Sequence, residues 1–248
     1  MLELPLLLTF LACAFFAEVI GTMAGFGSAT VLTPIASWFM AVKTAVAAVA
    51  CFHLMGSASR SLFFRRQINW PIVWAFGLTG VACAFVGAQV AAQLPAAVVR
   101  MLLGAFLVLY VIAEMRRVTT QRVPATTRTL LVGGVVSGLV AGVIGTGGAV
   151  RSLCLLAFGL PKEEYLGTSA VIALAVDAAR VPVYVAQHFL PATAWPVVLG
   201  LIVVAFCGAW TGQRLVRSVS PTAFKRFVLI TLFVMGLKLL LDGWRGLP

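Results

Sequence analysis

The side chains able to bind a charged ligand or carry a proton are few, and they lie inside long apolar segments. Charged residues make up only 10% of the chain. An ionisable side chain at membrane depth costs about 2.5–3.5 kcal/mol on insertion scales, so each such residue indicates function by default. Lys238 is close to the chain end and is explained most simply by its amine reaching the membrane interface. The set comprises Glu18, His53, Arg60, Arg151, Asp177, Arg180 and Lys238.

Several of these residues share predicted helix faces. His53, Ser57 and Arg60 lie at positions i, i+4 and i+7 of one apolar segment, and therefore on one face. Asp177 and Arg180 are three residues apart in the corresponding segment of the second half, close enough to pair. Two interpretations stay open. Either the arginines anchor helix ends and the pair is structural, or these residues together with Glu18 gate or couple the protein's function.

Two glycine-rich stretches interrupt apolar segments at matching places. Residues 24–29 read Ala-Gly-Phe-Gly-Ser-Ala, and residues 144–149 read Ile-Gly-Thr-Gly-Gly-Ala. Each follows an apolar run that we judge short for a spanning helix. Glycine inside a helix costs about 1 kcal/mol relative to alanine, so both stretches predict helix breaks. Broken backbone in a bilayer is tolerated only where it is buried in protein or lines a watery cavity, and a matched pair indicates a binding site. Close helix packing by small residues is the alternative.

Arg151 follows the second break by three residues, at the start of a short predicted helix. The first turn of such a helix offers free backbone N–H groups and the positive end of the helix dipole. Together with hydroxyls and one arginine, these donors predict a site for a compact oxyanion. The alternative is that Arg151 faces a lipid headgroup. The predicted binding residues are Gly25, Gly27, Ser28, Gly145, Thr146, Gly147, Gly148, Arg151 and Ser152.

Signatures of enzymes, metal sites and cofactor sites are missing from the sequence. It has no His-Glu-x-x-His motif, two histidines, seven acidic residues, and five cysteines without Cys-x-x-Cys spacing. These counts do not favour a metal or redox site, so we expect no cofactor and no catalysis.

Composition predicts the elements that must position these residues. The 248 residues are 62% hydrophobic, with a mean hydropathy of +1.07, which is typical of a polytopic helical membrane protein. The start, Met1-Leu2-Glu3-Leu4, has no basic residue, so we expect the first apolar run to stay in the protein. The net charge of +11 comes mostly from short connections, which is the positive-inside pattern and not a nucleic-acid surface.

The apolar segments repeat. Adding 120 to a residue number takes Gly27 to Gly147 and Arg60 to Arg180, which indicates an internal duplication of the kind that builds many transporters. The sequence predicts a first repeat at 1–117, a cytoplasmic linker at 118–128 and a second repeat at 129–248. The apolar pieces are 5–23, 29–41, 44–64, 69–93 and 97–112, then 129–143, 149–160, 165–186, 195–213 and 223–241.

Charge predicts the orientation of the two halves. Arg65-Arg66, the linker and the basic connection at 214–226 are placed in the cytoplasm, and the uncharged Gln187-His188 connection outside. Each broken segment must then enter and return as a hairpin of two short helices, followed by three full spans. An odd number of passes makes the repeats inverted. A parallel arrangement of four plus four spans is the alternative.

An ordered set of motifs comprises residues 138–148, Pro161 and Gly167-Thr168-Ser169-Ala170, and in the first half Gly25-Phe26-Gly27 and Pro34. Their order and spacing resemble the sulfite exporter TauE/SafE family of membrane proteins. The resemblance covers nearly the whole chain. The chain departs from the family's usual pattern at Ala149-Val150-Arg151, and its first half lacks a Gly-Thr-Ser element. We include Thr168 and Ser169 among the candidates for gating or coupling.

The resemblance implies a multi-pass transporter in the bacterial inner membrane that moves sulfite or a related sulfur oxyanion or organosulfonate, usually outward. Its expected partners are that anion and membrane lipid, with no nucleic acid. The oligomeric state is left open, with a homodimer as one arrangement. Two other classes remain: a non-transporting membrane scaffold or assembly subunit, and a membrane-embedded enzyme, which the missing catalytic sets disfavour.

Overall fold

The computed structural model describes residues 3–24, 27–115, 123–215 and 222–246. This part of the chain is all-helical and holds no β-strand, as the composition predicts. A 3₁₀ turn, Ala192–Ala194, precedes the ninth helix. The helices are α1 Leu4–Ala24, α2 Ala29–Phe39, α3 Val42–Phe63, α4 Trp70–Gln93, α5 Ala96–Met115, α6 Thr127–Ile144, α7 Gly148–Leu156, α8 Lys162–Ala186, α9 Trp195–Leu215 and α10 Thr222–Arg245.

Seven helices of the described part are long and apolar enough to cross a membrane. The chain is therefore a multi-pass membrane protein. The first helix of each broken pair is among the seven, so the expectation that these apolar runs are too short to span is wrong. α1 has 21 residues and α6 has 18, because the apolar sequence continues up to the glycines, whereas α2 and α7 have only 11 and 9.

Both glycine stretches separate one helix from the next. α1 ends at Ala24 and α2 begins at Ala29, while α6 ends at Ile144 and α7 begins at Gly148. Gly27 and Gly145 have φ of 92° and 84°, a left-handed conformation that costs a residue with a side chain about 1–2 kcal/mol. Glycine therefore permits the chain to leave the helix at these points. Gly25, the last two residues of the predicted first repeat and residues 118–122 of the predicted linker lie outside the described residues.

Helices α3 and α8 run antiparallel through the middle of the molecule. At one end, Lys43 at the start of α3 donates to Ala92 O at 3.1 Å and lies 5.2 Å from the ring centroid of Phe189, just beyond the end of α8. At the other end, Asn69 just beyond α3 donates from Nδ2 to Glu164 Oε1, in the first turn of α8, at 2.8 Å. The start of each helix therefore lies beside the end of the other.

Small residues bring the outer helices close to this centre. α4 packs on α6, where a Cβ on Gly138 would collide with the backbone of Gly80. α9 packs on α1, where a Cβ on Gly208 would lie 2.8 Å from Glu18 Cβ. In the predicted repeat α1 corresponds to α6 and α4 to α9, so each half packs its first helix on the fourth helix of the other half. This exchange places Glu18 inside the protein.

Candidate functional site

An ion pair between Glu18 of α1 and Arg60 of α3 forms the first part of the buried polar region. The Arg60 guanidinium donates to one carboxylate oxygen of Glu18, and the Ser28 hydroxyl donates to the other. Arg60 also donates to Thr22 Oγ1 at 3.3 Å and to Ser57 Oγ at 3.0 Å. Glu18 is fully buried and Arg60 is only 4% exposed. Pairing and hydrogen bonding are what allow both charges to remain so deep.

A second buried cluster joins His53 of α3 to two residues of α8. His53 Nδ1 lies 2.7 Å from Asp177 Oδ2. Arg180 donates from Nε to Asp177 Oδ1 at 2.9 Å, and its Nη2 lies 2.8 Å from the same oxygen in an ion pair. Arg180 also donates to Ala141 O of α6 at 2.6 Å. The Asp177–Arg180 pair expected from their spacing is therefore present. His53 joins it from across the sequence.

The other ring nitrogen of His53 is buried without a hydrogen-bond partner in the described part of the chain. It faces Gly27. A Cβ added to Gly27 would lie 2.8 Å from His53 Nε2 and 3.6 Å from Arg151 Nη2. The space that a side chain at Gly27 would fill is thus bounded by an imidazole nitrogen and a guanidinium.

Arg151, on α7, is buried and only 4% exposed. Its Nε donates to Ser169 Oγ of α8 at 3.0 Å. Arg60 and Arg180 each form an ion pair with a carboxylate, but Arg151 forms none with the acidic residues of the described chain. A buried charge is stable only when it is paired or strongly hydrogen-bonded, so Arg151 has capacity for an anionic partner.

A small cavity lies between the two halves, beside both Arg60 and Arg151. Its volume is ≈ 10 Å³, room for about one water molecule. The first half contributes α1, the first glycine stretch and α3, and the second half contributes α7 and α8. Two guanidinium groups and a hydroxyl therefore meet at one enclosed point. The lining residues are Gly21, Gly27, Arg60, Arg151, Leu166, Ser169 and Ala170.

A family model for the sulfite exporter TauE/SafE matches residues 10–239. The chain belongs to this family. The resemblance drawn from the glycine motifs is confirmed, and membership indicates a membrane transporter of sulfur-containing anions. No curated protein and no solved structure gives a match.

The second glycine stretch of this TauE/SafE protein makes different contacts from the first. Thr146 Oγ1 lies 2.7 Å from Thr30 Oγ1, and Gly147 O accepts from Ser137 Oγ at 2.9 Å. A Cβ on Gly145 would meet Val46, on α3, at 3.1 Å. None of the residues from Gly145 to Gly148 is among the described residues that line the cavity. The second half reaches the cavity through Arg151 instead.

Two further predicted residues lie at the edge of this arrangement. Ser152 accepts a hydrogen bond from the Tyr165 hydroxyl at 2.9 Å. Thr168 accepts from Asn69 N at 2.9 Å and so fixes the connection between α3 and α4 to the first turns of α8. Both residues hold α7 and α8 in place, and neither lines the cavity among the described residues.

Sequence reasoning missed three polar residues that hold the region together. Thr22, beside the Glu18–Arg60 pair, lies one turn after Glu18, and that spacing was a usable signal. Thr30 and Tyr165 had no such signal. Thr30 pairs with a residue 116 positions away, and Tyr165 reaches back to a helix that precedes its own.

An open pocket of ≈ 540 Å³ lies at the end of the molecule where α8 begins. The α3–α4 connection, with Arg66, lines one side, and Lys162 to Glu164 line the other. Leu166, two residues further along α8, already lines the inner cavity. The open pocket and the buried cavity therefore both lie along α8. Their nearest lining residues on this helix, Glu164 and Leu166, are less than one helical turn apart.

Proposed function

We propose that this protein is a secondary transporter of the bacterial inner membrane that exports sulfite, or a closely related sulfur oxyanion or organosulfonate. The observation that carries the proposal is Arg151, buried beside a cavity between the halves without a carboxylate partner in the described chain. A compact oxyanion supplies the missing negative charge and accepts hydrogen bonds from guanidinium and hydroxyl donors. Family membership supports the same substrate class.

The proposed binding site contains fewer residues than the sequence alone predicted. It comprises Arg151, Ser169, Gly27 and the Arg60 guanidinium at the cavity, with Ser28 holding Glu18 behind it. Sulfite is larger than the one water molecule that the cavity admits. The halves must therefore separate slightly for an anion to enter, and the open pocket beside the start of α8 is the proposed entrance.

We further propose that the two repeats, 1–117 and 129–248, are inverted, and that the helices around each glycine stretch form a hairpin. The antiparallel course of α3 and α8 supports inversion, because these helices correspond in the repeat. The exchanged packing of α1 on α9 and α6 on α4 is the relationship expected of halves related by a two-fold axis. Inversion allows one central site to be reached from either side of the membrane in turn.

Export is electrically favourable in this arrangement. With the cytoplasm negative, moving one unit of negative charge outward through 100 mV releases about 2.3 kcal/mol. An anion can thus leave the cell down the membrane potential. The protein's task is to provide a polar path across the bilayer and to exclude other solutes.

Sulfite binding by calorimetry and sulfite efflux from proteoliposomes test the proposal. Arg151→Ala should weaken sulfite binding by about 2 kcal/mol, or roughly 30-fold, as expected for the loss of a charged hydrogen-bond partner. Arg128→Ala is the matched control, because Arg128 lies exposed in the first turn of α6 in the same half. Folded protein that binds and transports no sulfur oxyanion would favour the scaffold alternative. Unchanged affinity in Arg151→Ala would place the site elsewhere.

A further inference from the structure

We infer that His53 takes up a proton when a doubly charged sulfur oxyanion binds, so that anion binding and protonation of the protein are coupled. The inference rests on the proposed function and concerns the same site, which His53 borders through Gly27 without being among the residues that line the cavity. His53 is only 4% exposed, and its Nε2 has no hydrogen-bond partner among the described residues.

Asp177 determines which ring nitrogen carries the proton in the neutral imidazole. Its Oδ1 accepts a hydrogen bond from Arg180 Nε and forms an ion pair with the same guanidinium, which holds the carboxylate ionised. An ionised carboxylate can only accept hydrogen bonds, so Nδ1 of His53 must be the donor across the 2.7 Å contact. In a neutral ring, Nε2 then carries a lone pair and no hydrogen.

The nitrogen that carries this lone pair borders the space into which an anion bound by Arg151 would extend an oxygen. Nε2 and Arg151 Nη2 both border the space left by the missing side chain of Gly27. An oxyanion oxygen facing a lone pair is repelled. If the ring gains a proton at Nε2, the same nitrogen becomes a charged donor and the contact becomes attractive.

The net charge around His53 favours the uptake of one proton by its ring when a dianion binds. The groups that face it are Asp177 and Arg180 of α8, Glu18 of α1, Arg60 of its own helix and, beyond Gly27, Arg151 of α7. α2 carries no ionisable side chain, and the only charged residue of α9, Arg214, is exposed. Two of the arginines are neutralised by carboxylates, which leaves one positive charge. A dianion would make the site negative by one unit, and a proton on His53 restores neutrality.

The step balances as a simple protonation. A proton supplied by the acid form of the solvent buffer, and carried to the site by water, bonds to the Nε2 lone pair, and the imidazolium N–H then donates to the anion. When the anion leaves, the proton returns to water from the same nitrogen. Asp177 is a positioning residue here, since it fixes the tautomer without touching the anion.

Calorimetric titration of purified protein with sulfite, in mildly alkaline buffers of different ionisation enthalpy, counts the protons taken up. We expect about one proton per bound sulfite dianion, and an affinity that falls about tenfold for each pH unit of increase. His53→Gln should take up about none. His188→Gln should behave like the unaltered protein, because His188, the only other histidine, is exposed.

Solid-state ¹⁵N spectra of histidine-labelled His188→Gln protein provide a second measurement that does not depend on a folded His53 variant. The Nε2 resonance should change from a bare nitrogen to a protonated one when sulfite is added. Binding without proton uptake, or equal uptake in His53→Gln, would overturn the inference but leave the transporter proposal standing. Absence of any sulfite binding would overturn both.

Discussion

The hydroxyl oxygens of Thr30 and Thr146 lie 2.7 Å apart, joining the first turn of α2 to the second glycine stretch. Both side chains are buried. The hydrogen bond thereby links the two halves through residues that are distant in sequence.

Replacing these threonines one at a time should cost more stability, summed over the two single variants, than replacing both at once. Thr30→Val leaves the Thr146 hydroxyl buried without its partner, which costs about 1–3 kcal/mol. The double variant Thr30→Val/Thr146→Val should lose less than the sum of the single variants. Thermal unfolding in detergent measures this, and Thr9→Val, at an exposed position of α1, is the control. Strictly additive losses would mean that the contact contributes nothing.

Breaking the Glu18–Arg60 pair from one side should be costly. Glu18→Gln leaves the Arg60 charge buried without compensation, for which about 3–5 kcal/mol is typical. Glu18→Gln/Arg60→Gln should recover part of this loss, because no unpaired charge remains. Glu3→Gln, just before α1, should have little effect on the same thermal unfolding measurement, since Glu3 is exposed. A Glu18→Gln protein as stable as Glu3→Gln would argue against an ion pair at this site.

Filling the space beside Gly27 should abolish anion binding. Gly27→Ala combines a left-handed backbone with a Cβ 2.8 Å from His53 Nε2. Gly159→Ala is a close control, because its φ is also positive, at 61°, and nothing lies within 4 Å of the added Cβ. Both variants therefore carry backbone strain, but only the first fills the proposed site. Calorimetry on folded protein should show sulfite binding in Gly159→Ala and its loss in Gly27→Ala.

The antiparallel course of α3 and α8 predicts which connections share a side of the membrane. Single cysteines at Lys43 and Gln187 should react with an impermeant maleimide from one side, in a background without native cysteines. Cysteines at Arg66 and Lys162 should react from the other side, because these residues line one pocket at the opposite ends of the same helices. Labelling of Arg66→Cys and Gln187→Cys from the same side would contradict the inverted arrangement.

The sequence by itself determined the features that depend on local order. Hydropathy established the membrane class, and glycines clustered within four residues marked the points where helices end. The spacing of Asp177 and Arg180 gave their ion pair, since residues three apart on a helix are neighbours. The glycine motifs, read in order, led to the correct family. They also suggested, wrongly, that α1 and α6 would be too short to span.

Tertiary structure alone decided which of these residues meet. Glu18 pairs with Arg60, which is 42 residues away in sequence, and His53 contacts Asp177, which is 124 residues away. Helical periodicity assigns a residue to a face but not to the helix that covers that face. Only the packing of the two halves shows that Gly27 and Arg151 border the cavity while Gly147 turns toward α6. Two glycine stretches that look equivalent in sequence therefore have different environments, because each packs against different helices.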